Sequence, residues 1–385
     1  MHKWFHNMRG AGDVITSAPI FRRNLYMAKK VMVAMSGGVD SSVAAALLQE
    51  QGYAVCGATL KLFSNEDIGP KRASRACCSL ADVADARSVA YKLEFEHFVF
   101  NFGDRFREEV VNRFAASYLN GETPNPCIDC NRYIKFDRML ERALLLNMDY
   151  IATGHYARVE YDGNTGRYLL KKAKDISKDQ TYVLYSMTQE QLKRTLFPLG
   201  GLLKNEVRAL AEARSLVNAK KPDSQDICFV QDGSYAAFLE NVLNVPSSPG
   251  NFIDAAGNAL GTHRGIIHYT VGQRRGLGLS FDRPKYVIRK DAKSNTVVIG
   301  DENELYSTNM TIKDVNLISI EHFTEPMEAA VKTRYSQREA SATLYPLEGN
   351  QISVRFHTPQ RAVTPGQAAV FYNDDIVIGG GTIVL

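Results

Sequence analysis

Apolar positions in the first half of the chain alternate between short continuous runs and longer stretches of helical period. Lys30 to Met35 is a buried-strand run, followed by a glycine turn from Ser36 to Ser42. A helical stretch from Val43 to Gln51 comes next, with Gly52 placed to stop it. Tyr53 to Leu62, His97 to Phe102 and Tyr150 to Thr153 read as further strands. Ala81 to Leu93, Phe106 to Tyr118 and Asp137 to Asn147 read as helices. Strands and helices in this alternation predict an α/β fold built on a doubly wound parallel sheet. From about Pro246 the texture changes to short strands and Gly/Pro turns. Thr296 to Gly300, Ile352 to Phe356, Ala368 to Tyr372 and Ile376 to Ile378 are examples, with turn signals such as Thr364-Pro365-Gly366 between them. These predict a small β-rich central domain followed by a C-terminal β-barrel. The expected division is an extension at 1–27, an α/β domain at 28–229, a central domain at 230–288 and a barrel at 289–385.

Composition narrows the class. The chain has 385 residues, 45% hydrophobic and 23% charged, which is globular and too long for one ordinary core. No apolar run approaches the roughly 20 residues of a transmembrane helix. Residues Met1 to Tyr26 lack a continuous apolar segment of the secretory kind; they read as an organellar transit peptide or, the favoured reading, as the product of an upstream start codon, with the working protein expected to begin near Met27, in the cytoplasm. The formal charge of +4 permits an RNA partner without demanding one. Six cysteines are too few for a secreted disulfide scaffold of this length.

The strongest local chemistry is Ser36-Gly37-Gly38-Val39-Asp40-Ser41-Ser42, between a strand and a helix. Backbone N–H groups and the positive helix end gather there, glycines let a phosphate come close, and the serines add hydroxyl donors. The loop lacks the Gly-Lys-Ser/Thr of a Walker A motif. Asp40 inside a phosphate cradle calls for Mg²⁺ as an intermediary on a pyrophosphate. The bland alternative is a strand–helix turn with a capping aspartate.

This loop resembles the PP-loop of ATP pyrophosphatases. Three further segments resemble the tRNA-specific 2-thiouridylases: Gly121 to Asn131 with Ile134-Lys135-Phe136, Ala152-Thr153-Gly154-His155-Tyr156-Ala157-Arg158, and Asp223-Ser224-Gln225-Asp226-Ile227-Cys228-Phe229. Lys178-Asp179-Gln180, Gly272-Gln273-Arg274-Arg275-Gly276, Thr333-Arg334-Tyr335 and Pro365-Gly366-Gln367 extend the resemblance to the C-terminus. It implies ATP-dependent 2-thiolation of the wobble uridine of tRNA, with AMP and pyrophosphate as by-products. It also implies a persulfide donor, a cysteine desulfurase or sulfur-relay protein, as partner. ATP, with Mg²⁺, would lie against Ala34, Met35, Ser36, Gly37, Gly38, Val39, Asp40, Ser41, Leu60 and Gly154. Cys228 would carry a persulfide, and Cys130 would release its sulfur by forming a disulfide. The tRNA and its target base would meet Asn125, Pro126, Cys127, His155, Lys178, Asp179, Gln180, Arg334, Tyr335 and Gln367.

Cys127 departs from the family pattern, which has an acid there. Cys127, Cys130 and Cys228 form the ligand set of an alternative in which a [4Fe–4S] cluster carries the sulfur. Zinc would need a fourth ligand such as Cys77 or Cys78. Cys56, in an apolar strand, reads as core. Lys171, Lys172, Lys174 and Lys178, and Lys220-Lys221, suit phosphate contacts or a solvated face equally well.

Overall fold

The computed structural model describes residues 28–63, 80–223, 227–230 and 234–384. The extension at 1–27 and the pair Cys77-Cys78 lie outside these residues. In chain order the first strands are β1 (Lys30–Ala34), β2 (Ala54–Lys61), β3 (His97–Asn101), β4 (Tyr150–Ala152), the hairpin β5 (Arg158–Asp162) and β6 (Arg167–Lys171), and β7 (Thr195–Leu196). One parallel sheet takes the order β3-β2-β1-β4-β7. Helices cover both faces, because β1 is apolar in both phases. Val31 and Val33 pack with Val43, Val89 and Val207, from helices α1 (Val39–Glu50), α2 (Leu80–Lys92) and one at Lys204–Ala213. Met32 packs on the opposite side with Phe106, Phe114, Ile134 and Met139. Those residues lie on two continuous helices, α3 (103–119) and α4 (126–145), each widened to π geometry in its middle, at Arg107–Val111 and Cys130–Arg138.

The doubly wound sheet matches the sequence pattern, with two differences. Helix α1 begins at Val39, inside the expected turn, so Asp40 lies in its first turn. Helix α4 begins at Pro126, well before Asp137, because Asn125 caps it by accepting a hydrogen bond from the Cys127 N–H at 3.1 Å and Pro126 occupies the first helical position. Cys127 and Cys130 therefore sit on a helix, with the second at the start of its π segment. Such segments recur at functional sites.

Three further helices follow: α5 (Gln189–Lys193), α6 (Lys204–Ala213, named above) and α7 (Tyr235–Asn241). The central sheet has the order β10-β11-β8-β9, from β8 (Gly250–Ile253), β9 (Ala259–His263), β10 (Tyr286–Asp291) and β11 (Thr296–Gly300). Its strands keep residues up to Gly300 in this unit. The last six strands are β12 (Tyr306–Leu317), β13 (Met327–Lys332), β14 (Ala340–Leu347), β15 (Gln351–Arg361), β16 (Ala368–Asn373) and β17 (Ile376–Val384). They close into a barrel, because β12 pairs with both β15 and β17. Hairpin β5–β6 joins the barrel through Lys171 opposite Ile376, and Arg158 holds Asp375 at 2.7 Å. Among the described residues no helix is long and apolar enough to cross a membrane.

Candidate nucleotide and thiol site

In the parallel sheet the chain winds outward from β1 through β2 to β3, then returns to place β4 on the other side of β1. The crevice beyond the C-terminal ends of β1 and β4 is the topological switch point, where such sheets bind ligands. The segment after β1 is the Ser36–Ser42 loop, and the segment after β4 is Thr153-Gly154-His155. They fit only because both are glycine-bearing. Gly37 has φ +72° and lies against the Asp82 backbone, and a Cβ at Gly154 would stand 2.7 Å from the Ser41 nitrogen. Gly38 caps α1 without a side-chain hydrogen bond, so no side chain competes with an anion for the first-turn N–H groups. The hydroxyls of Ser41 and Ser42 both donate to the Gly38 carbonyl at 3.1 Å, which fixes the loop. Ala34 ends β1, and Met35 is buried behind the loop, its N–H donating to the Ala58 carbonyl at 2.8 Å. Leu60 is buried near the end of β2.

A second wall of the crevice comes from residues 204–223, which the sequence reading passed over apart from Lys220-Lys221 and Asp223. Lys204 Nζ contacts both carboxylate oxygens of Asp40, at 2.7 and 2.8 Å, and Asp223 at 2.8 Å. Tyr156 OH donates to Asp40 at 2.9 Å. Burial, then Asp40, raises the Tyr156 phenol, so it stays a donor. Lys221 Nζ reaches the Gly37 carbonyl at 3.2 Å, Asp82 at 2.6 Å and Asp85 at 2.7 Å. Asn218 Nδ2 donates to the Gly37 carbonyl and to Ser42 Oγ, both at 2.9 Å. Two cations and an amide thus surround the loop. A signal for Lys204 was present in the sequence: a lysine at the first position of a helix faces the positive end of its dipole, which is unfavourable unless an anion stands opposite. Burial works to raise the Asp223 carboxyl, but hydrogen bonds from Lys204 and Lys178 outweigh it and hold the group below its ordinary value.

Four cysteines lie among the described residues. Cys127 is exposed at the tip of α4, Cys130 is buried one turn on, and Cys228 is half-buried beside Phe229. Phe229 is fixed by Phe106, Phe114 and Phe238 at ring distances of 5.2–5.6 Å. Among the described residues no three His, Cys, Asp or Glu side chains are grouped to hold a metal ion, so the cluster alternative has no preformed ligand cage. Cys56 is core, with burial pushing its thiol up to about 11.

The residues expected to meet tRNA fall into two groups. His155 is buried between Phe136 and Phe197 with Nδ1 at 2.6 Å from Thr153 Oγ1, and burial, then Lys135, holds it neutral. Asp179 is buried, accepting from Ala173 N–H and Thr181 Oγ1, while Gln180 Oε1 accepts from Tyr156 N–H at 2.9 Å. Arg334 donates to the Val271 and Ala362 carbonyls. Gln367 donates to the Thr123 carbonyl at 2.6 Å. These five are built into the fold. The second group lies more open: Asn125, exposed Cys127, Lys178 and Tyr335, with Pro126 buried between Asn125 and Cys127 at the start of α4. The Tyr335 phenol is raised by burial and then by Asp179 and Cys127, which places the barrel beside the α4 tip. The basic stretch is largely spoken for: Lys171 pairs with Glu160, Lys172 with Glu339, Lys174 with Glu206 and Lys178 with Asp223.

Comparison with known proteins gives consistent matches along the whole chain. Residues 29–232 match the family described as tRNA methyl transferase HUP domain, 236–301 its PRC-barrel domain, and 307–383 an aminomethyltransferase beta-barrel domain. The tRNA-specific 2-thiouridylase MnmA of Acetivibrio thermocellus is 57% identical over 355 residues, covering 92% of this chain and 99% of that protein. The protein of the same name from Natranaerobius thermophilus is 50% identical, covering 94% and 98%. Among solved structures, a 4-thiouridine synthetase–RNA complex with bound ATP aligns at a TM-score of 0.36 and 17% identity, over 56% of this chain and 50% of that one.

Proposed function

The chain belongs to the tRNA-specific 2-thiouridylase family, and from that premise we propose that it is an enzyme that uses ATP to replace the C2 oxygen of the tRNA wobble uridine by sulfur. The observation that carries the reading is the switch-point crevice, where Lys204 and Lys221 converge on the glycine loop, in a sheet whose Met32 face is covered by the helix that bears Cys130. A methyl transferase, which one family description names, has no use for a pyrophosphate cradle with two lysines.

The chemistry follows from what each group can do. ATP enters as its Mg²⁺ complex, with Asp40 facing the metal and Lys204, Lys221 and the α1 N-terminus facing the phosphates. The uracil O2 attacks the α-phosphorus, pyrophosphate leaves, and C2 becomes electrophilic. The outer sulfur of a Cys228 persulfide attacks C2, and AMP departs with the former O2. The Cys130 thiolate then attacks the inner sulfur of Cys228. The S–S bond to the base breaks, 2-thiouridine is released, and a Cys130–Cys228 disulfide forms that an external thiol must reduce. Asn125, Pro126, Cys127 and Tyr335 border the target base and Lys178 faces the tRNA, while Arg334 and Gln367 act from within the fold, by holding the barrel and the Thr123 loop. A cytoplasmic cysteine desulfurase or relay protein supplies the persulfide.

The test is anaerobic thiolation of unmodified tRNA with ATP and a persulfide source, before and after iron chelation, read as 2-thiouridine by nucleoside mass spectrometry. Iron-free protein is expected to be active, and Cys130→Ala and Cys228→Ala to be inactive. Activity lost on chelation and restored by iron would replace the persulfide route with the cluster route. Absence of thiouridine in every condition would overturn the assignment.

A further inference from the structure

Asp223 has no role in the chemistry above, yet it is the negative centre of a cluster of cations. One carboxylate oxygen contacts Lys204 Nζ and Arg208 Nη2, each at 2.8 Å, and the other accepts from Lys178 Nζ at 3.0 Å. The cations come from separate places. Lys204 and Arg208 are on successive turns of α6, and Lys178 ends the short 3-10 turn Ile176–Lys178. Lys204 extends the cross-link to the nucleotide loop through Asp40. Five residues beyond Asp223 is Cys228, whose far side is pinned by the aromatic cluster around Phe229. The thiol is therefore bracketed by an aromatic anchor and an ionic one, and the ionic one is shared with the ATP crevice.

We propose, resting on the thiolation reading above, that Asp223 is a positioning residue that ties nucleotide occupancy to sulfur delivery from Cys228. Lys204 is held by three carboxylate contacts, two of them from Asp40. When Mg²⁺–ATP takes up the Asp40 carboxylate, Asp223 alone keeps the ammonium at the phosphates. The same carboxylate fixes the start of the segment leading to Cys228. Removing its charge unfastens the sulfur-bearing segment from an ATP site that still has its loop, Lys221 and Asp40. ATP is then consumed without matching sulfur transfer. An ordinary structural salt bridge makes a different demand: pyrophosphate release and thiolation fall together.

The experiment uses the full chain, loaded with persulfide, in single turnover with ATP and unmodified tRNA, and measures pyrophosphate released per 2-thiouridine formed. Asp223→Asn is expected to slow thiolation by about tenfold and to raise that ratio at least about twofold over wild type. Asp223→Glu, which keeps the charge, is expected to bring the ratio back toward wild type. Should Asp223→Asn fail to fold, Arg208→Met removes one partner and keeps the carboxylate, and a smaller rise is expected. A wild-type ratio in the folded variants overturns the coupling, whatever their rates. Failure of wild-type protein to thiolate at all would instead strike the functional reading, so the two failures are separable.

Discussion

Replacing Lys204 by methionine keeps the length of the side chain and removes only the ammonium. Two consequences can be sized. The first is on stability: Asp223 retains Arg208 and Lys178, and Asp40 retains the Tyr156 hydroxyl. The carboxylates are not orphaned, and with side-chain exposures of 30% for Asp40 and 22% for Asp223 the loss should stay near 1–2 kcal/mol, a melting shift of a few degrees. The second is on ATP use. A hydrogen bond between charged partners contributes about 1.5–3 kcal/mol, so the reaction should lose roughly ten- to 150-fold in kcat/KM for ATP. The assay is steady-state thiolation at varied ATP and saturating tRNA, with melting curves as the folding control. A folded Lys204→Met protein within about threefold of wild type in kcat/KM for ATP would falsify the placement of this lysine at the phosphates.

Two further outcomes follow from residues outside the crevice. Lys290 is buried against the loop before α4, and burial lowers it to about 8. Its folded value lies below the unfolded one, so between roughly pH 8 and 10.5 the unfolded chain holds the extra proton and stability should rise with pH, by at most about 3 kcal/mol across that window. Denaturant titrations of wild type and Lys290→Met at pH 7.5 and 9.5 should show that slope only in wild type, and an equal slope in both would remove Lys290 as its source. Gly366 has φ +85°, and a Cβ there would stand 2.8 Å from Glu122 Cβ and 3.0 Å from the Thr123 nitrogen. Gly366→Ala should cost about 2–4 kcal/mol from backbone strain and overpacking, seen as a lower denaturation midpoint, and unchanged stability would show that the turn has room.

What the sequence disclosed depended on how local the signal was. The parallel sheet was legible because β1 and β2 are apolar runs bounded by glycines, and the nucleotide loop because its glycines and serines are contiguous. Helix α4 was read too short because its first turns carry Pro126, Cys127 and Cys130 in place of an amphipathic repeat, and its start depends on a single cap at Asn125. The hairpin β5–β6 was missed because its burial comes from the barrel more than 200 residues away, through Asp375 and Ile376. Lys204 was invisible as the link between Asp40 and Asp223 for the same reason: Asp40 is 164 residues from Lys204 in sequence. Lys171, Lys172, Lys174, Lys178 and Lys221, read as candidates for phosphate contacts, are salt-bridged, a fact that charge counting cannot supply.

The loop from Gly121 to Asn125 explains why a thiol-bearing helix needs two β domains behind it. Its end caps α4 and so fixes Cys127 and Cys130. From the central domain, Ile266, Lys290 and Ala292 close around Gly121, and Lys290 Nζ reaches the Glu122 carbonyl. From the barrel, the Pro365 carbonyl accepts from Thr123 N–H at 2.9 Å, and the Gln367 amide donates to the Thr123 carbonyl at 2.6 Å. All three domains therefore meet on five residues of backbone, with no regular ladder to hold them without those contacts. On the proposed function, RNA that shifts the barrel or the central domain must displace this loop, and with it the start of the helix that carries Cys130. The nucleotide crevice is linked to Cys228 through Asp223, and the RNA-facing domains are linked to Cys130 through Thr123. On that proposed function, Cys228 is coupled to the ATP side and Cys130 to the RNA side.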